Sequence, residues 1–207
     1  MSIVQALADK HAAGELVRAA MKDLKDACCK ASVLEVYDMD RYAQSLNQAQ
    51  PPASMDGAWV GALRGKDHLL LVEMKSLKNV ALEFHYGECA KAGRGQGHEE
   101  TVSRCQAEFK AFVDRKIAEW DFEAKMHGTQ ELLTGMDAGL ADDLQSGAVV
   151  ERCFIACDLS SREFINYRDT FKSVLKDLAN DIWRVPMAVP CSQLNNEHTL
   201  RTGLGAG

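Results

Sequence analysis

Asp56, Glu73 and Lys75 are the residues of this chain whose types and spacing suit chemistry. Two carboxylates offer hard oxygen ligands to a divalent cation such as Mg²⁺, with Mn²⁺ as its substitute. An ammonium beside them can orient a water or offset developing negative charge. The carbonyl of Met74 could supply a third ligand. Leu69-Leu70-Leu71-Val72, just before Glu73-Met74-Lys75, is as apolar as a buried strand, and buried strands rarely carry Glu-x-Lys for packing reasons.

Whether the three side chains meet depends on a hairpin. Met55-Asp56-Gly57-Ala58-Trp59-Val60-Gly61-Ala62-Leu63 and His68 to Lys75 read as two strands around Arg64-Gly65-Lys66-Asp67. If Gly65-Lys66 is a two-residue turn, Arg64 pairs with Asp67, Asp56 lies opposite Lys75, and Glu73 is diagonal to Asp56. Opposed residues share a face, as do residues two apart, so all three groups converge within roughly 5 to 8 Å. A four-residue turn keeps this register, whereas a three-residue turn sends Asp56 to the other face.

The rest of the chain supplies the supporting elements. Residues 2–29 read as helix, broken near Gly14, with Leu16, Val17, Ala20, Met21, Leu24 and Cys28 at helical spacing. Ser32 to Tyr37 is strand-like, and Asp38 to Ser54 is a polar loop with at most a short helical turn, ending in Pro51-Pro52. Val80 to His85 reads as extended, Ala92 to Gly97 as a flexible loop, and 99–127 as one helix stopped by Gly128. Residues 129–147 suggest a loop with short helical pieces. Ala148 to Asp158 is a second buried strand, Ser160-Ser161-Arg162-Glu163 a capping box opening a helix, and Ile182 to Val189 a last strand. The expected architecture is an α/β domain over 1–190, with a mixed sheet flanked by helices and a flexible tail over 191–207.

The composition is that of an ordinary globular protein: 46% hydrophobic and 26% charged residues, with a formal net charge of −6. That balance argues against a broadly basic nucleic-acid coat, though not against a local basic groove. The first ten residues lack a signal peptide's basic start and apolar core. No apolar run approaches membrane-spanning length, so a cytoplasmic protein without a membrane partner is expected. Seven cysteines form no evident disulfide framework, and reduced thiols are the simpler expectation.

Hydrolysis of a phosphodiester requires charge neutralisation at the phosphate, a hydroxide generated near neutral pH and in-line attack. Carboxylate-held Mg²⁺ serves the first two needs. Met55-Asp56-Gly57 followed by Val72-Glu73-Met74-Lys75 resembles the PD-(D/E)xK nuclease superfamily, with its restriction-endonuclease-like αβββαβ core. The resemblance covers most of residues 1–158 and leaves a C-terminal αβ extension. It implies metal-dependent cleavage of nucleic acid, DNA ahead of RNA. Asp56 and Glu73 would be the metal ligands and Lys75 would serve the attacking water. A further acid is expected upstream, from Glu15 on the helix or Glu35 on the strand. The proline usual before the aspartate is absent, and Gln106 is followed by Lys110 rather than the tyrosine some members carry.

Other readings stand beside this one. The same fold could be catalytically silent and act as a nucleic-acid-binding or protein-interaction subunit, and a homodimer or larger complex is left open. Lys78, Lys91 and Arg94 could line a phosphate groove, as could Arg104, Lys110, Arg115 and Lys116, but Glu99, Glu100, Glu108 and Glu119 alternate with the last set as on a solvated helix face. Gly93-Arg94-Gly95-Gln96-Gly97 has the wrong glycine spacing for a dinucleotide fingerprint. His85, Cys89, His98 and Cys105 are zinc-ligand types without the spacing of a common closed site. Cys153, Cys157, Trp59 and Trp120 are expected in the core.

Overall fold

A computed structural model of the chain describes residues 2–46, 49–95, 97–176 and 185–205. Its centre is the hairpin of β3 (Gly57–Leu63) and β4 (Lys66–Lys75). Pairing runs from Leu63 opposite Lys66 to Gly57 opposite Val72. The turn is therefore Arg64-Gly65, one residue earlier than expected, with φ of 51° and 77°. Positive φ at both central residues is what a type I′ turn requires and what matches the twist of the strands. Gly65 adopts it without the steric cost that Arg64 bears. The pairing shifts by two residues, which leaves every side chain on its expected face but changes which residues oppose each other.

β4 is covered on both faces. Leu69 and Leu71 join the helix-side core, while Leu70, Val72 and Met74 join a second core on the opposite side. Each such burial contributes roughly 1.5–3 kcal/mol, so the continuous apolar run is explained by two-sided packing. β5 (Val149–Cys157) lies parallel to β4 in register from Asp67–Val149 to Lys75–Cys157, and β6 (Met187–Pro190) is parallel to β5. On the other side β2 (Glu35–Asp38) pairs antiparallel with β3, and β1 (Arg18–Ala20) with β2. The six-stranded mixed sheet thus follows chain order.

Helices supply the crossovers that parallel strands need. Beyond α1 (Ile3–Ala12) and α2 (Met39–Ser45), α3 (Leu77–Glu83), α4 (Tyr86–Ala92), α5 (His98–Glu119), α6 (Phe122–Met136) and α7 (Leu140–Ser146) lie between β4 and β5. α8 (Ser161–Phe164) and α9 (Arg168–Leu175) lead towards β6, and α10 (Glu197–Gly205) follows it. Most of these helices pack on the Leu69–Leu71 face. The irregular segment after Met21 and the C-terminal turn and helix cover the other, through Leu24, Leu34, Leu194 and Leu200.

Several expectations are corrected. The helix expected over 2–29 ends at Ala12, and the following residues form β1 because pairing with β2 outweighs their helical spacing. The loop after Asp38 carries α2, which buries Met39, Tyr42 and Ala43. Val80 to His85 belongs largely to α3, where the Ser76 hydroxyl accepts from the Asn79 amide and Leu77 and Val80 are buried three apart. The helix expected over 99–127 breaks at Trp120-Asp121, and the Asp121 carboxylate caps a new helix through the Ala124 amide. Gly128 lies inside α6 rather than stopping it. The tail expected to be loose carries a 3₁₀ turn over Cys191–Leu194 and then α10, anchored by the buried Leu194 and Leu200. Of the last expected strand, residues 182–184 lie outside the described residues.

The cysteines also depart from expectation. Cys29 is bonded to Cys191 and Cys89 to Cys105. The first pair joins residues 162 apart in sequence, a closure that spacing cannot reveal. The second takes both cysteines out of the His85, Cys89, His98 and Cys105 zinc set. Cys153 and Cys157 are buried on β5, as expected of packing residues. Among the described residues no helix is long and apolar enough to cross a membrane.

Candidate active site

Asp56 immediately precedes β3, and the pairing of Gly57 with Val72 sets it opposite Glu73 instead of Lys75. The strand edge continues through the side chain: the Met74 amide donates to Asp56 Oδ2 at 2.6 Å, and the Met39 amide donates to the Asp56 carbonyl. Glu73 projects to the helix-side face with Leu69 and Leu71. It is fully buried, and its Oε2 has no hydrogen-bond partner among the described residues. Its Oε1 faces two ammonium groups, Lys75 Nζ at 2.6 Å and Lys125 Nζ at 2.7 Å. Lys125 Nζ also lies 3.8 Å from Asp56 Oδ1, so this ammonium bridges the two carboxylates. Lys75 Nζ lies 5.7 Å from the centre of the Trp120 ring, which holds it at the helix layer rather than in solvent.

Lys125 was not legible as a site residue, because a single helix over 99–127 would leave it on an ordinary polar face. The break at Asp121 turns α6 back over the sheet, and two contacts fix its height. At Gly128 the helix backbone meets the loop before Asp56 so closely that a Cβ would lie 1.9 Å from the Ala53 carbonyl oxygen. One residue on, Thr129 Oγ1 accepts from the Met55 amide at 2.8 Å and donates to the Lys125 carbonyl. Lys125 and Asp56 are thus set by neighbouring contacts between the same two segments.

Burial raises the Asp56 carboxyl to about 7, with the Glu73 charge adding to the rise and Lys125 and the Met74 amide opposing it. Burial alone would lower the Lys125 ammonium, but Glu73, Asp56 and Asp40 together raise it. Asp40, in the first turn of α2, acts on both groups and accepts from the Ser54 hydroxyl at 2.6 Å. It is an acid upstream of Asp56 whose charge acts on this centre. Its signal in the sequence, Asp38-Met39-Asp40 directly after a strand, was hidden inside a stretch that read as loop.

The other candidates lie apart. Glu15 follows α1 and pairs with Lys10 at 2.6 Å, while Glu35 is exposed on β2 and pairs with Arg18 at 3.4 Å. Lys78 is exposed in the first turn of α3, its amide donating to Asp158. Lys91 and Arg94 are exposed at the end of α4. The structure brings together Asp56, Glu73 and Lys75, adds Lys125 and Asp40, and joins none of these other five to them by an ion pair among the described residues.

No family model, curated protein or solved structure matches this chain. The reading of the site rests on its own geometry. A fully buried glutamate with one oxygen unpaired among the described residues, facing an aspartate whose carboxyl burial raises to about 7, leaves carboxylate oxygens available as donors. Oxygen donors of this kind fit Mg²⁺ or Mn²⁺.

Proposed function

We propose that this protein is a metal-dependent nuclease hydrolysing phosphodiester bonds of nucleic acid, DNA ahead of RNA. The observation that carries the reading is the buried Glu73 opposite Asp56, with the Lys75 ammonium at 2.6 Å from its Oε1 and its Oε2 without a hydrogen-bond partner among the described residues. Asp56 and Glu73 would hold Mg²⁺ or Mn²⁺, with the Met74 carbonyl as a third ligand and Asp40 as the upstream acid. A bound divalent ion supplies Lewis acidity and charge neutralisation at the phosphate. Lys75 positions the attacking water and offsets developing charge, and the Trp120 ring keeps its ammonium in place. The order β2-β3-β4-β5, with three antiparallel strands and a fourth parallel to the third, supports the restriction-endonuclease-like reading of the fold. A cytoplasmic location is part of the same proposal.

The test is cleavage of plasmid DNA, single-stranded DNA and RNA by the full chain in Mg²⁺ or Mn²⁺, against an EDTA control. Lys75→Ala is expected to lower the rate by about 10²–10³-fold while the unfolding transition persists. Equal cleavage by this variant would assign the activity elsewhere. A second reading, a silent nuclease-like fold serving as a binding or interaction subunit, draws on Lys125, whose ammonium already bridges the two carboxylates. Nucleic-acid binding that survives EDTA, without turnover of any substrate, would favour it.

A further inference from the structure

Three cysteine sulfurs meet on the sheet face opposite Glu73. Cys28 and Cys29 lie in the irregular segment after Met21–Asp23, and Cys191 opens the turn that follows β6. All three Sγ atoms lie within 4.8 Å of one another. A disulfide needs only two of them. The third, Cys28, is 3.9 Å from Cys191 Sγ, and its thiol donates to the Ala156 carbonyl at 3.6 Å. A cysteine kept only for packing belongs in apolar surroundings. Cys28 is half-buried against the second core, but its sulfur also faces a second sulfur and a backbone carbonyl, and the charges of Asp158 and Asp56 act on its thiol after the larger effect of burial.

We propose that in the reduced chain Cys28, Cys29 and Cys191 form a thiolate site for one soft divalent cation of the Zn²⁺ type. Zinc–thiolate bonds of about 2.3 Å in a tetrahedron set sulfurs about 3.8 Å apart, the separation Cys28 and Cys191 already have. Cys29 reaches that distance once its bond to Cys191 is reduced. Cys28 and Cys191 are both partly exposed, which leaves the remaining coordination position to water. The nearby acids favour a cation there. The ion and the disulfide compete for the same two sulfurs, so the oxidised chain holds no metal at this place. Sulfur donors here and oxygen donors at Asp56 and Glu73 select cations of different softness, so the two sites are chemically separable. Either linkage ties the segment around Cys29 to the one that carries α10, across the second core.

The test uses the full chain, reduced with a water-soluble phosphine, exchanged into anaerobic buffer and titrated with Co²⁺. The expected result is one equivalent bound with an intense near-ultraviolet thiolate-to-cobalt band, bleached by one equivalent of Zn²⁺. Glu73→Gln is expected to keep the band, which separates this site from the carboxylate centre and from the nuclease reading. Cys153→Ser should keep it too. Cys28→Ser, which leaves the Cys29–Cys191 pair able to bond and the fold able to form, is expected to lose stoichiometric binding. No thiolate band in the reduced wild type, or an unchanged band in Cys28→Ser, would overturn the proposal and leave a disulfide with a bystander thiol.

Discussion

Replacing Lys125 by methionine separates two roles that its ammonium could play. The substitution keeps the side chain as far as Cε and removes a charge 2.7 Å from Glu73 Oε1 and 3.8 Å from Asp56 Oδ1. At an effective dielectric of about 20 these contacts are worth about 6 and 4 kcal/mol of gross attraction, most of it offset by desolvation. Removing one partner of a buried pair costs about 3–5 kcal/mol net, and because Glu73 retains Lys75 the lower end applies. In EDTA, Lys125→Met should therefore unfold about 3 kcal/mol more easily in urea. In Mn²⁺ the comparison changes direction. If the ammonium occupies the place of a cation shared by the two carboxylates, the variant binds Mn²⁺ about tenfold more tightly. It then gains about 1.4 kcal/mol more from saturating Mn²⁺ than the wild type does. A gain from Mn²⁺ equal to or below that of the wild type would refute the reasoning, because the carboxylates would not then be competing partners for ammonium and metal.

The remaining expectations are simpler to read. The Asp56 carboxyl is raised to about 7 in the folded chain, so its contribution to stability is full below its unfolded value near 4 and is lost as pH rises through 7. In EDTA the wild type should lose about 3 kcal/mol relative to Asp56→Asn between pH 5 and pH 8; parallel profiles would remove Asp56 from the buried cluster. Gly128→Ala and Gly135→Ala make a matched pair within α6. The first drives a methyl into the Ala53 carbonyl and should destabilise by about 1–3 kcal/mol; the second meets open space and should stabilise by about 0.5–1 kcal/mol, both measured by urea midpoint. Ser160→Ala removes both hydroxyl bonds of the capping box at α8 and should cost about 1 kcal/mol in the same assay.

Local patterns with a single physical cause were readable in the sequence. The run Leu69 to Val72 marked a strand buried on both sides, Ala148 to Asp158 another, and Ser160 with Glu163 marked a helix start. The face shared by Asp56, Glu73 and Lys75 was also readable, because a slip of two residues preserves side. What opposes Asp56 was not, since either residue beside Gly65 can complete the turn and the twist of the hairpin decided for Arg64. Helical spacing misled between Leu16 and Cys28, where pairing with β2 supplies bonds that a helix would otherwise make. It misled again at Trp120-Asp121, where a capping aspartate restarts the chain in a new direction. Lys125 and Asp40 were out of reach for a related reason: each joins the centre only after a distant segment has docked.

Lys125 follows Lys75 by 50 residues, so a ribosome that has released the hairpin still has that stretch to make. At roughly 5–20 residues per second, this leaves roughly 2 to 10 s in which Asp56 and Glu73 can pair without their bridging ammonium. During that interval the nascent hairpin carries two facing carboxylates with only Lys75 beside them. Solvent and free cations are what screen those charges until α6 closes over them. Synthesis order alone therefore lets a cation reach the carboxylates before the protein's own lysine does.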